Sequence, residues 1–129
     1  MPEHAVQRLE EVHGLLAGQH VVVLGAAYRG GVKETAFSGV FATVAALIKR
    51  QARVSVHDPL YSDEELRSLG FEPHTLGQPA DAAIVQTDHA EYAELRAQDL
   101  PQVRTLVDGR AVLRGTFPCA IVLTLGRSR

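Results

Sequence analysis

The residues of this sequence best suited to bind a charged ligand lie in a glycine-rich loop and in a separate Asp-Gly-Arg turn. The loop, residues 25–37, carries Arg29, and the turn carries Arg110. A guanidinium group can bind two phosphate oxygens at once, and glycines let the backbone approach a ligand closely. Ser38 stands where a helix is predicted to begin, so its hydroxyl and the nearby backbone N–H groups could meet an anion. These residue types indicate a site for a phosphate or diphosphate.

Each of these patterns also fits a structural role. The loop does not follow Gly-x-Gly-x-x-Gly spacing, because Ala27 stands at the second glycine position, and no Walker-type Gly-Lys-Ser/Thr follows it. It therefore also fits a flexible turn with solvated charges, and Arg110 also fits a surface arginine in a turn. Asp58, at the end of a predicted strand, could bind a ribose hydroxyl or cap the turn at Pro59, and capping is the interpretation that we favour.

The histidines and the cysteine do not form a recognisable site. His57, His74 and His89 are too scattered along the chain to predict a metal site. Cys119 is the only cysteine, so no intrachain disulfide can form. It lies just before an apolar run with no activating residue close in sequence, so we interpret it as an inert, buried thiol.

The elements that must position these residues alternate between strand and helix. Strands are predicted by apolar runs at residues 21–24, 54–56, 82–85, 104–108 and 120–125, and helices by amphipathic or capped segments at 4–16, 38–50, 62–70 and 88–96. This alternation predicts an α/β fold with a doubly wound, Rossmann-like parallel sheet of five or six strands, helices on both faces and the strand at 21–24 central. A further short strand within 71–76 is weakened by Pro73. Ligands of open parallel sheets bind outside the carboxyl ends of the strands, where both arginine-bearing segments are expected.

Helical periodicity predicts which faces of two helices are buried. For the helix at 38–50, the predicted buried residues are Phe41, Val44, Ala45 and Ile48. For the helix at 4–16, the apolar stripe consists of Val6, Leu9, Val12 and Leu16. The second stripe has no obvious partner in the sequence, so we expect that helix to stay loose or to drive dimerisation.

The composition excludes several classes of protein. The chain has 129 residues, of which 46% are hydrophobic and 22% charged, and its formal net charge is −2. These values argue against nucleic-acid binding by bulk electrostatics and against a polybasic membrane anchor. No apolar run approaches the roughly 20 residues that a membrane span needs, and the N-terminus lacks the pattern of a signal peptide. We therefore expect a soluble, cytoplasmic protein with no nucleic-acid or membrane partner.

Four segments together resemble one family, the UDP-glucose/GDP-mannose dehydrogenases. Residues 24–39 resemble the signature loop of the C-terminal, UDP-binding domain of these nucleotide-sugar 6-dehydrogenases. Residues 54–59 resemble its strand ending in Tyr-Asp-Pro, 81–92 its Thr-x-His/Trp segment and 107–113 its Asp-Gly-Arg motif. The order and spacing of the four segments match over residues 19–113.

The resemblance implies a substrate and a set of residues that bind it. Family members oxidise C6 of a UDP- or GDP-linked sugar with NAD. The resemblance therefore implies that Tyr28, Arg29, Ser38 and Arg110 form a UDP-sugar site in this chain. Arg29 stands where the family usually has a lysine, which keeps the charge but changes the geometry. Two further departures are Gly30 in place of proline and Ala36 in place of a frequent arginine.

The sequence lacks the family's catalytic parts. It contains neither the NAD-binding Gly-x-Gly-x-x-Gly unit nor the segment with the nucleophilic cysteine. We therefore expect a UDP-sugar-binding domain at 18–129, preceded at 1–17 by the end of the family's inter-domain linker helix. It would carry no catalytic residue, bind no cofactor itself and be inactive alone, while the complete enzyme would use NAD.

The expected partners are UDP or a UDP-sugar, with homodimerisation or docking on the remaining dehydrogenase domains also open. An alternative is a non-catalytic interaction module that docks on a full-length dehydrogenase. A third, weaker alternative is a phosphoacceptor domain that uses Asp58, although no acidic cluster lies near the end of the first strand.

Overall fold

The structure is a five-stranded, entirely parallel sheet with helices packed on it. It is a computed structural model and describes residues 2–36 and 38–125. The strands are β1 (His20–Leu24), β2 (Arg53–His57), β3 (Ala82–Val85), β4 (Thr105–Asp108) and β5 (Ile121–Thr124). Their order in the sheet is β2-β1-β3-β4-β5, and every neighbouring pair is parallel. The predicted Rossmann-like α/β sheet of five or six strands is confirmed.

The strand at 21–24 is interior but not the middle strand of the sheet. β1 pairs with β2 on one side and with β3 on the other, and β3 occupies the middle position. The short strand expected within 71–76 is reduced to a single bridge between Pro73 and Val56 at the outer edge of β2. Because proline cannot donate a ladder hydrogen bond, the pairing extends no further.

The sheet is buried on both faces by separate apolar clusters. Successive residues of β1 contribute alternately, Val21 and Val23 to one cluster and Val22 and Leu24 to the other. All four side chains are fully buried. This arrangement explains why β1 has a continuous apolar run rather than an alternating pattern.

The three α-helices are α1 (Pro2–His13), α2 (Val40–Lys49) and α3 (Asp63–Ser68). A capping box opens α3, since Glu65 N–H donates to Ser62 Oγ and Ser62 N–H donates to the Glu65 carboxylate. This confirms the start predicted from the sequence. The helix predicted at 88–96 is instead a short 3-10 helix at Ala90–Glu94, followed by another at Ala97–Asp99.

The predicted buried face of α2 is correct for Val44 and wrong for the other three residues. The residues that α2 buries are Val40, Thr43, Val44, Ala46 and Leu47. Phe41 and Ile48 are 44% and 59% exposed, and Ala45 is exposed as well. Apart from Thr43, which is itself buried, α2 is apolar until Lys49, so its sequence contains no polar stripe from which the buried side could be read.

The expectation that α1 lacks a partner in the chain is also wrong. Val6, Leu9 and Leu16 are almost completely buried in the same cluster as α2 and the strands. The Arg50 guanidinium at the end of α2 donates to Glu10 and Glu3 of α1, at 3.0 and 3.2 Å. The helix is therefore packed on the sheet, and its stripe is not free to dimerise.

Cys119 is exposed rather than buried, because it lies in the turn before the edge strand β5. Local sequence gave no sign that β5 ends the sheet. No helix within residues 2–36 and 38–125 has the length and apolar character that a membrane span requires.

Truncating Leu9 tests how α1 is attached. Leu9 has no exposed surface, so Leu9→Ala should lower the free energy of unfolding by about 2–5 kcal/mol. Leu15→Ala is the matched control, because Leu15 is 84% exposed and its loss should change stability by no more than about 0.5 kcal/mol. Urea unfolding measures both, and equal small effects would mean that α1 does not pack on the domain.

Candidate functional site

The candidate site lies at the carboxyl edge of the sheet, around the ends of β1 and β3. The connection after β1 leads to β2 on one side, whereas β3 lies on the other side of β1. Strand order reverses there, which leaves a crevice between the loops that leave β1 and β3. The loop at 25–37 follows β1, residues 86–89 follow β3, and the Asp-Gly-Arg turn follows β4.

Asp58 anchors the loop that follows β1. Its carboxylate is 3% exposed, and Oδ2 accepts hydrogen bonds from the N–H groups of Ala26 and Ala27 at 2.7 and 3.0 Å. Oδ1 accepts from Leu60 N–H at 2.8 Å. The turn-capping interpretation of Asp58 therefore describes only part of its role, since the same carboxylate also holds the loop between β1 and α2.

His89 completes the contacts of this carboxylate. Its Nε2 lies 2.8 Å from Asp58 Oδ2, and its Nδ1 lies 3.1 Å from the backbone nitrogen of Gly31. A backbone N–H can only donate, so Nδ1 accepts and the ring proton is on Nε2. The fully buried His89 is thus a neutral bridge from Asp58 to the far end of the loop.

Thr87 fixes the start of the same loop. Its hydroxyl donates to the Ala27 carbonyl at 2.8 Å. Gly25 faces it with φ of +115°, and a Cβ added at Gly25 would lie 2.2 Å from Thr87 Oγ1. Only glycine satisfies both the left-handed backbone and the close approach.

Asp88 joins the two arginine-bearing segments. Oδ1 accepts from Gly30 N–H at 2.6 Å, and Oδ2 lies 3.4 Å from a terminal nitrogen of Arg110. A Cβ at Gly30 would lie 2.2 Å from the Asp88 carbonyl oxygen, so the two backbones touch. Asp88 does not cap the helix predicted to begin there, because its carboxylate faces the loop and the 3-10 helix begins after His89 without a side-chain cap.

Asp108 shapes the Asp-Gly-Arg turn from inside. It is 2% exposed, and its oxygens accept from the N–H groups of Arg110, Val112 and Leu113 at 3.2, 3.2 and 2.9 Å. A Cβ at Gly109 would lie 2.7 Å from the Val85 carbonyl oxygen. The turn is therefore packed against the end of β3, which directs Arg110 towards Asp88.

The structure brings only some of the sequence-predicted residues together. Arg110 lines a groove of about 580 Å³ with Asp88, His89 and Arg114. Tyr28 and Arg29 lie on the exposed part of the first loop and are not part of the groove wall. The Arg29 side chain makes no ion pair or hydrogen bond within residues 2–36 and 38–125.

Ser38 is engaged within the protein. Its hydroxyl accepts from Val40 N–H at 3.1 Å and lies 3.4 Å from the Ala27 carbonyl, to which it donates. It therefore links the first turn of α2 to the loop and does not present a free hydroxyl to the groove.

Sequence reasoning missed Thr87, Asp88, His89 and Arg114 as site residues. The available signal was the position of residues 87–89 directly after a predicted strand, at the same edge as the other loops. Arg114 lies four residues after Arg110 in the segment that leaves the turn. Among the residues that the structure describes, no three His, Cys, Asp or Glu side chains are grouped as metal ligands.

Comparison with known families gives one match to most of the chain. Residues 22–115 match the family model described as the UDP-glucose/GDP-mannose dehydrogenase family, UDP binding domain. UDP-glucose 6-dehydrogenase AglM of Haloferax volcanii is 30% identical over 118 residues, covering 87% of this chain and 27% of that protein. UDP-N-acetyl-D-mannosamine dehydrogenase of Methanococcus vannielii is 26% identical over 96 residues, covering 72% and 21%. The chain thus spans between 21% and 27% of the length of these curated relatives.

Solved structures of two dehydrogenases share the fold. A UDP-glucose dehydrogenase from Pyrobaculum islandicum superposes with a TM-score of 0.75 at 31% identity, covering 97% of this chain and 29% of that one. The UDP-N-acetyl-mannosamine dehydrogenase Cap5O from Staphylococcus aureus gives a TM-score of 0.77 at 21% identity, covering 95% and 30%. The second similarity shows the fold alone.

Replacing Asp58 tests whether its carboxylate holds the loop. In Asp58→Asn an amide N–H₂ replaces one accepting oxygen, and each buried donor left unpaired costs about 1–3 kcal/mol. We expect a loss of at least about 2 kcal/mol in the free energy of unfolding and faster hydrogen exchange at Ala26 and Ala27. Asp63→Asn is the matched control, because Asp63 is exposed. Equal stability of the two variants would contradict the anchoring role.

Proposed function

The chain belongs to the UDP-glucose/GDP-mannose dehydrogenase family, and we propose that it binds the UDP part of a UDP-sugar at the carboxyl edge of its sheet. Arg110 and Arg29 would hold the diphosphate, and Tyr28 would complete the site. Ser38 would act indirectly, because its hydroxyl links the loop to the first turn of α2. The observation that carries this proposal is the contact of Asp88 with both Gly30 and Arg110. It joins two segments that are far apart in sequence, each with an arginine, at the crevice where parallel sheets bind ligands.

The hydrogen bonding of the loop indicates how an anion would be held. The backbone N–H groups of residues 26, 27, 30 and 31 all donate to Asp58, Asp88 or His89. They are not available as a phosphate cradle of the kind found in glycine-rich nucleotide loops. The diphosphate would therefore be bound by side chains, which favours the arginines.

The ion pair of Arg110 leaves its guanidinium available. Arg110 and Asp88 meet at 3.4 Å with 40% and 39% of their side chains exposed. An exposed pair of this kind is worth little, whereas a bidentate contact with phosphate is stronger. A diphosphate would then compete with Asp88 for Arg110. Arg114 on the same groove wall adds positive charge nearby.

NAD binding and catalysis would depend on segments outside this sequence. Residues 1–17 would be the end of an inter-domain helix and 18–129 the UDP-binding domain of an NAD-dependent UDP-sugar 6-dehydrogenase. The relatives named above are dehydrogenases several times longer than their match to this chain. NAD would bind to the complete enzyme, and this chain would bind none.

A second function, docking on a full-length dehydrogenase without binding a ligand, is favoured by one observation. The solvent face of α2 consists of Phe41, Ala42, Ala45 and Ile48 up to Lys49. An exposed apolar helix face of this kind often marks a protein interface. The titration below separates the two functions, since an interaction module would not bind UDP.

Titration of UDP tests the proposed function directly. Each charge-assisted hydrogen bond contributes about 1.5–3 kcal/mol, so Arg110→Ala and Arg29→Ala should each weaken binding by roughly tenfold to a hundredfold. Calorimetry or NMR measures the affinity, with uridine as the phosphate-free ligand. Arg67→Ala is the matched variant, because Arg67 is exposed on α3, away from the groove.

Three outcomes would decide the assignment. Binding of UDP that is lost in Arg110→Ala and kept in Arg67→Ala supports it. No binding at millimolar UDP, or equal binding of uridine, would overturn it in favour of the interaction module. If only Arg110→Ala weakens binding, Arg29 does not take the role of the family's lysine.

The expectation that this chain alone is inactive can be tested separately. Pure protein should form no NADH from NAD with UDP-glucose, UDP-N-acetylglucosamine or UDP-N-acetylmannosamine, because the sequence lacks the dinucleotide loop and the reactive-cysteine segment. Absorbance at the NADH band measures this. Sustained NADH formation that survives Cys119→Ala would disprove the proposal that catalysis needs segments outside this sequence.

A further inference from the structure

Arg110, which lines the groove of the candidate site, already has a carboxylate beside it. Asp88 Oδ2 lies 3.4 Å from a terminal nitrogen of the Arg110 guanidinium group. The side chains of Arg110 and Asp88 are 40% and 39% exposed, so both face the solvent of the groove. A phosphate that binds Arg110 must therefore displace a negatively charged oxygen that belongs to the protein.

The Asp88 carboxylate is held in place independently of Arg110. Its Oδ1 accepts from Gly30 N–H at 2.6 Å. The backbones of the two residues also touch, since a Cβ at Gly30 would meet the Asp88 carbonyl oxygen. Rotating the carboxylate out of the groove would break its hydrogen bond with Gly30, which has a cost of its own. The charge of Asp88 thus stays beside any anion that binds to Arg110.

The position of Arg110 depends on other contacts. Asp108 accepts from the backbone N–H of Arg110 at 3.2 Å, and the turn is packed against the end of β3 at Gly109. A single contact at 3.4 Å between two exposed side chains adds little to this arrangement. Asp88 therefore neutralises the charge of Arg110 without being needed to position it.

The other charged residues of the groove do not share this contact. Glu94 and Arg114 also line the groove, and neither forms an ion pair in the part of the chain that the structure describes. Of the two groove carboxylates, it is Asp88 that contacts Arg110. Removing one carboxylate or the other therefore separates the effect of this contact from the effect of net charge.

We propose that Asp88 is a built-in competitor for the anion site at Arg110, which occupies the guanidinium group in the free domain and limits how tightly an anion is held there. The inference rests on the proposed function and adds the residue that sets the affinity of its site. A carboxylate that stays in place repels the bound phosphate and stands ready to pair with Arg110 again. The same competition speeds the release of the ligand.

Replacing Asp88 by asparagine tests the proposal, with inorganic pyrophosphate and UDP as the two ligands. In Asp88→Asn the amide oxygen can still accept from Gly30 N–H, while the charge beside Arg110 is lost. We expect both ligands to bind roughly twofold to fivefold more tightly, the range of an exposed ion pair. Calorimetry at low ionic strength measures the affinity, NMR line shapes measure the dissociation rate, and hydrogen exchange at Gly30 shows that the loop contact is kept.

Glu94→Gln is the matched control, because it removes an exposed carboxylate of the same groove that does not contact Arg110. Its effect on the affinity should stay below about twofold, since solvent and salt screen a charge without a direct contact. Equal gains in the two variants would overturn the proposal. So would unchanged or weaker binding of pyrophosphate to Asp88→Asn, and weaker binding would mean that Asp88 orients Arg110 for the ligand.

The two ligands distinguish this inference from the proposed function. If the wild type binds UDP and Asp88→Asn binds neither ligand more tightly, the competitor role is wrong and the UDP site stands. If pyrophosphate binds more tightly to Asp88→Asn while UDP shows no binding, the competitor role stands and the UDP site is wrong.

Discussion

A single buried carboxylate organises the edge of the sheet where the candidate site lies. Asp58 accepts from the backbone of the loop after β1, from its own turn and from the His89 ring. A buried charge is tolerated only when such donors surround it, so the loss of any one of these contacts is costly. The start of the loop, the turn at Pro59 and the position of His89 all depend on this one carboxylate.

This organisation divides the site into a fixed part and an adjustable part. The backbone of the loop is fixed by the buried Asp58 and His89 and by the half-exposed Asp88, while Arg29 on the loop and Arg110 on the Asp-Gly-Arg turn extend into solvent. The Gly30 contact also gives a physical reason for one departure from the family's usual loop. Proline has no N–H to donate to Asp88, and the Asp88 carbonyl leaves no space for a side chain at position 30. The bond to Asp88 thus replaces the rigidity that a proline ring would supply.

The sequence contained enough information for the strands and their edge, but not for the contacts within the site. Short continuous apolar runs such as residues 21–24 are typical of strands buried on both faces, and the loops at their ends were predicted to converge. The roles of Asp88 and His89 depend on partners 58 residues away, at Gly30 and Gly31, and no local pattern records such pairs. The prediction of the buried face of α2 was largely wrong for another reason. A helix that is apolar on nearly all sides carries no amphipathic signal.

The strand order also has a consequence for how quickly the chain reaches this structure. β1 lies between β2 and β3, and both of these strands come later in the chain. A parallel sheet has no hairpins, so each strand pairing requires a long crossover to close. The entropy of that closure is lost before any stabilising contact forms. On a ribosome, the apolar β1 would emerge and wait unpaired until β2 has been made, and its second edge would stay open until residues 82–85 follow. Folding should therefore be slower than for a helical bundle of equal length, and the exposed β1 run is the segment most in need of protection during synthesis.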